Sequence, residues 1–91
     1  MTNDEVPRIE YPLPGARFAI DPDQPRDAQR LDVRIVAPRR AREATLVVDG
    51  ERVASVGAPF EAWWKLEAGD HELVAEVDGA KSAAVRVTVR Q

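Results

Sequence analysis

Ninety-one residues are enough for one domain with a modest core and no covalent staples. With 44% apolar and 32% charged residues, the composition suits a soluble globular chain rather than a disordered one. A formal net charge of −3, both signs interspersed, excludes the basic field of a nucleic-acid binder. Cysteine is absent, which excludes a disulfide framework, thiol catalysis and cysteine-based zinc sites.

In chain order, Met1–Val6 is polar and acidic and reads as a flexible linker, leaving residues 7–91 as the domain. Arg8–Leu13 sets Ile9, Tyr11 and Leu13 on one face. Pro7, Pro12 and Pro14 mark it as an edge strand, since proline cannot donate to a central ladder. Pro14-Gly15 turns the chain into a short strand over Arg17–Ile20, and Asp21–Ala28 is a proline-rich loop. A helix is hard to place; Asp23–Gln29 offers a single turn at most.

Gln29–Val36 is the first strong strand, with Leu31, Val33 and Ile35 alternating against Asp32 and Arg34. Ala37–Arg42 is a basic loop carrying Arg39, Arg40 and Arg42. Ala44, Leu46 and Val48 form the inward set of the next strand, Asp49-Gly50 makes a hairpin turn, and Val53–Val56 runs back. The last strand, Ala83–Arg90, sets Val85, Val87 and Val89 against Arg86, Thr88 and Arg90.

Between these lies the stretch Phe60–Gly79, strand, corner, strand and turn. Phe60, Ala62, Trp64 and Leu66 share one face; Glu61, Trp63, Lys65 and Glu67 share the other. Glu67-Ala68-Gly69-Asp70 breaks the pattern, and His71, Leu73, Ala75 and Val77 restart it before the Asp78-Gly79 turn. Seven or eight short antiparallel strands, with turn signals about every 8–12 residues, predict an all-β immunoglobulin-like sandwich.

Several segments together resemble a known family: Ile9-Glu-Tyr-Pro-Leu-Pro-Gly15, the Asp21-Pro…Pro25…Gln29 loop, Val48-Asp-Gly50, and Trp64-x-Leu66-x-x-Gly69-x-His71. In this order they resemble the C-terminal domain of bifunctional penicillin-binding proteins of the 1C type, over roughly Pro7 to Val89. One departure is that Thr45–Val48 lacks the aromatic often found before the Asp-Gly turn. The resemblance implies a non-catalytic module of a peptidoglycan synthase, on the periplasmic side of the bacterial inner membrane. It also implies that the catalytic serine motifs and glutamates belong to other domains. A protein of the cell-wall machinery, or peptidoglycan itself, is the implied partner.

The sequence carries no cofactor or metal pattern and no paired acid or nucleophile–base spacing. No run approaches the ~18 apolar residues of a membrane span, no signal peptide is visible, and the isolated domain is expected to be a monomer. His71, the single histidine, needs a partner from elsewhere to act as a catalyst, and its place after Gly69 points instead to fixing the corner. Asp21, Asp23 and Asp27 allow a calcium reading but lack a dedicated loop's glycine and bidentate glutamate, so an Asx-and-proline turn is favoured. Arg39, Arg40 and Arg42 read either as a solvated loop tip or as an anion grip. Trp64 shares parity with the core set, which puts Trp63 outward beside Lys65. Trp63 is then either a contact for a sugar ring or partner protein, or covered by a long side chain or the N-terminal segment.

Overall fold

The computed structural model describes residues 6–91; the linker assigned to Met1–Val6 lies outside them except for Val6. Nine strands form two packed sheets: β1 (Arg8–Tyr11), β2 (Ala16–Ala19), β3 (Arg30–Val36), β4 (Ala44–Val48), β5 (Glu51–Val56), β6 (Glu61–Lys65), β7 (Gly69–Val77), β8 (Ala80–Lys81) and β9 (Val85–Arg90). The smaller sheet has the order β1-β3-β6; the larger has β2-β9-β7-β4-β5, with β8 alongside β7. The helical content among the described residues is one 3₁₀ turn, Arg26–Ala28.

Alternation builds the core. Leu31, Val33 and Ile35 from β3 and Ala62 and Trp64 from β6 face Leu46, Leu73, Ala75, Val87 and Val89 across the sandwich. Each of these strands reads buried-exposed at period two, the pattern of a sheet with one wet face. Both hairpin turns have positive φ at both central residues: Asp49 at 52° with Gly50 at 85°, and Asp78 at 50° with Gly79 at 81°. That is the geometry in which turn twist matches strand twist, and it explains the Asp-Gly pair at each site.

The structure departs from the sequence reading in four places. The strand count rises to nine because Ala80–Lys81 continues the Asp78-Gly79 hairpin for two residues. There the ladder gives way to Ser82, whose hydroxyl accepts from the Ala75 amide at 2.9 Å and donates to the Ala83 carbonyl at 2.9 Å. Secondly, β2 pairs parallel with β9. The chain crosses between sheets at Pro12–Gly15 and lies down beside β9 in the same direction.

Thirdly, Tyr11 and Leu13 do not share the inward face of Ile9; they are 45% and 67% exposed. The register against β3 shifts between Ile9 and Tyr11, and one extra residue inverts the side-chain parity beyond it. Pro7 and Pro12 are fully buried instead. Lastly, β6 begins at Glu61, because Phe60 takes a φ of 61° after the Ala58-Pro59 peptide and leaves the extended region.

Trp64 is 6% exposed and Trp63 53%, so their truncation should separate cleanly. Trp64→Ala is expected to cost about 3–5 kcal/mol, the usual range for deleting a buried aromatic. Trp63→Ala should cost under about 1 kcal/mol, as surface substitutions do. Urea titration of both variants checks the order, and equal losses would contradict the register of β6.

Candidate functional site

Register places the exposed tryptophan at the middle of a polar sheet face. In the β3–β6 pairing Asp32 lies opposite Trp63, Arg34 opposite Glu61, and Arg30 opposite Lys65. Two cations directly across from each other repel, and both side chains turn elsewhere. Lys65 Nζ reaches Asp27 Oδ1 at 2.9 Å, while the Arg30 guanidinium lies over the Trp63 ring, 5.1 Å from its centroid. Arg30 also approaches Asp32 at 3.9 Å, and Arg34 approaches Glu61 at 3.8 Å. The result is an exposed indole covered on one side by a guanidinium and ringed by charges of both signs.

The loop expected from Asp21 to Ala28 is tied by its own hydrogen bonds. Asp21 Oδ1 accepts the Asp23 amide at 2.9 Å, an Asx turn. Gln29 bonds both the amide and the carbonyl of Asp21 and the carbonyl of Gln24. Asp27 points to Lys65, whose hydrogen bond and charge hold its carboxyl below the usual range. The three aspartates therefore have separate jobs. Among the described residues no cluster of metal-ligating side chains forms.

Arg39 and Arg40 are exposed and line an open groove of about 600 Å³ with Pro38, Ala41, Val77, Asp78 and Ala80. Arg42 is also exposed but lies outside that lining. None of the three makes an ion pair among the described residues. This groove sits at the end of the sandwich where β3 and β7 finish and β1 begins, since Arg8 pairs with Val36. Trp63, across from Asp32 partway down β3, belongs to a different surface.

At the opposite end His71 bridges three segments. Its Nδ1–H donates to Asp49 Oδ2 at 2.6 Å and its Nε2–H donates to the Glu67 carbonyl at 2.8 Å. Both partners only accept, so the ring carries both protons. The second Asp49 oxygen accepts the Glu72 amide at 2.9 Å, and the Asp49 amide donates to the Glu72 carbonyl at 2.9 Å. Trp64 packs against the imidazole edge-on, centroids 4.7 Å apart. Gly69 opens β7 with a φ of 119°, which a side chain would resist, and so lets the chain turn tightly enough for His71 to reach Glu67. Every atom that a catalytic histidine needs free is committed to structure here.

Sequence reasoning did not find Arg30, the Asp27–Lys65 pair or the Asp49–His71 bond. Arg30 was legible only through the β3–β6 register, and the other two pairs span 38 and 22 residues.

The fold is shared with known modules. A solved structure of the fibronectin(III)-like modules of Clostridium thermocellum CbhA superposes with a TM-score of 0.78 at 18% identity, covering 93% of this chain and 96% of that one. At that identity the likeness defines the architecture, a fibronectin- or immunoglobulin-like β-sandwich. Residues 1–87 match the model of the Penicillin-Binding Protein C-terminus Family, and the chain belongs to that family. No curated protein matches it.

The His71 corner gives stability a dependence on pH. Burial disfavours the charged ring, but the hydrogen bonds to Asp49 and to the Glu67 carbonyl, with the Asp49 charge, outweigh it and raise its pKa above 6.5. A pKa raised by folding contributes stability that is fully present below the unfolded value and lost as pH rises through the folded one. The hydrogen bond from His71 and the Glu72 amide lower Asp49 below 3.8, so its contribution is present above that value and lost on acidification through the folded pKa. Urea midpoints are therefore expected to be highest between these limits and to fall on the alkaline side. His71→Gln should flatten the alkaline fall, and Trp64 fluorescence should change with the same midpoint.

Proposed function

We propose that this chain is a non-catalytic accessory module of a penicillin-binding protein of the 1C type, serving protein contact or positioning in cell-wall synthesis on the periplasmic side of the inner membrane. The family match supports the association with penicillin-binding proteins. The observation that carries the contact reading is the exposed Trp63 indole with Arg30 stacked on it. Tryptophan and arginine are the residues most enriched at interface hot spots, and a pre-stacked pair loses little freedom on docking. The same stack narrows the alternative, direct glycan binding, because a sugar ring would have to use the indole face that Arg30 does not cover. The Arg39–Arg40 groove offers a second surface, suited to a carboxylate-bearing partner.

A non-catalytic role also agrees with the surroundings of the serines. The chain has two serines; Ser55 Oγ meets Thr45 Oγ1 at 3.1 Å, and Ser82 is tied to backbone. Neither is bonded to a group that would take its proton, which a nucleophilic serine requires. Labelled penicillin should leave no covalent adduct on the purified chain by intact mass; an adduct would overturn the assignment.

For contact, immobilised wild-type chain should retain cell-wall synthesis proteins from periplasmic extract and should not itself sediment with purified sacculi. Trp63→Ala/Lys65→Ala should lower that retention by tenfold or so, in keeping with a hot-spot loss of ~1.4 kcal/mol or more. A triple Arg→Ala variant at Arg39, Arg40 and Arg42 measures the second surface. Sedimentation with sacculi that depends on Trp63 would favour the glycan reading instead.

A further inference from the structure

Among the described residues four strand edges bound the two sheets, β1 and β6 on the smaller and β2 and β5 on the larger. Three are blunted in ways that natural sheets use against unwanted pairing. β1 lies between Pro7 and Pro12, and β2 is four residues long between Pro14 and Pro22. β5 carries a register shift opposite Leu46 and Val47 that bulges its edge. β6 is also short, with Pro59 two residues before it, but it has neither proline nor bulge within it, and the charges it carries, Glu61 and Lys65, are of opposite sign.

The outer edge of β6 has no ladder partner among the described residues, although β5 of the other sheet lies alongside it. The bonds of β6 to β3 include the Ile35 amide to the Phe60 carbonyl at 3.0 Å and the Leu66 amide to the Gln29 carbonyl at 3.1 Å. Even-numbered residues of this segment therefore bond β3, because hydrogen-bonded and non-hydrogen-bonded pairs alternate in an antiparallel ladder. The amides and carbonyls of Glu61, Trp63 and Lys65 point the other way, to the free edge. A cleft of about 430 Å³ runs along that edge, bordered on its far side by Val53, Ala54, Ser55 and Val56.

We propose that β6 pairs antiparallel with β6 of a second copy across a two-fold axis at Trp63, joining two three-stranded sheets into one of six strands. The side chains specify this register. With Trp63 opposite itself, Glu61 faces Lys65 of the second copy and Lys65 faces its Glu61, so the sequence Glu-x-Trp-x-Lys is complementary to its own reverse. The same register pairs residues whose amides and carbonyls are all free, and a slip by two residues leaves a charge and its backbone groups unmatched. The two indoles then meet as a cross-strand aromatic pair, each backed by its own Arg30. A contact of this kind is isologous and closes at two copies. Five residues a side is small beside the ~1,200–2,000 Å² of stable interfaces, which sets the affinity in the micromolar-to-millimolar range. The inference rests on the protein-contact reading of Trp63 and names a second copy as its partner, in place of the monomer expected from the sequence.

Sedimentation velocity of the purified chain, up to about 1 mM, should show reversible dimers, the upper limit corresponding to the weakest affinity proposed. E61K alone and K65E alone each turn two attractions into repulsions and should weaken the dimer by about tenfold. An equal mixture of the two should restore it, because the introduced lysine then faces the introduced glutamate. Changes confined to the Arg34 or Asp27 contacts within one copy would not be rescued by mixing. Since the chain has no cysteine, W63C should oxidise to a covalent dimer and E61C should not, as residue 63 alone lies on the axis. A chain that stays monomeric at about 1 mM, a mixture no better than its components, or crosslinking of E61C equal to that of W63C would each overturn the proposal. A monomeric chain that still retained cell-wall proteins through Trp63 would remove the dimer and leave the contact reading intact.

Discussion

A β-strand cannot send two neighbouring residues to the same side, and that constraint acts most forcefully at Trp63-Trp64. Trp64 belongs to the core with Leu31 and Ala62, packed against His71. Its burial obliges the preceding indole to stand in water on the outer face. The pleat thus supplies the domain with its main apolar anchor and its most conspicuous surface group from one dipeptide. What surrounds the outer indole is a response to that exposure: Arg30 covers it, Lys65 bends away to Asp27, and Asp32 stands across.

The corner at the far end answers a different need. A sandwich must hold its two sheets in register where the chain passes from one to the other, and here β6 leads into β7 through Leu66–Ala68. The doubly protonated His71 joins that crossing to the β4–β5 turn through Asp49, while its ring packs against Trp64. One side chain therefore links the corner, a hairpin and the core. A lone histidine in a chain without cysteine invites a catalytic or metal reading, and its surroundings give it neither.

Much of the architecture was legible because the inward residues are nearly all aliphatic and fall on one parity: Leu31, Val33 and Ile35; Ala44, Leu46 and Val48; Leu73, Ala75 and Val77. The Asp-Gly pairs announced both tight turns for a steric reason that needs no tertiary information. Parity misled at Tyr11 and Leu13, where an apolar alternation continues through a register shift that only the partner strand reveals. The surroundings of the candidate site were hidden for a related reason. Trp63 and Lys65 could be assigned to a face, but Arg30 and Asp27 approach from a strand and a loop more than thirty residues away, and no local pattern encodes which residue lies across a sheet. Ser82 escaped notice because a serine between two short strands looks like a turn residue until its hydroxyl is found completing a ladder.

The parallel pairing of β2 with β9 bears on how the domain responds to tension. Val6 lies at one end of the sandwich and Gln91 at the other, since β1 starts opposite Val36 whereas Arg90 lies beside Ala19. A pull between these points draws β2 and β9 along their axes in opposite senses. The ladder from Gly15–Arg86 through Ile20–Arg90 then carries the load in shear, so its hydrogen bonds must yield together rather than open one at a time. A peeling geometry, with both ends on one side, would break them in succession at lower force. The crossing at Pro12–Gly15, which turns the first strand from one sheet to the other, thereby makes the short second strand a mechanical latch for the whole domain.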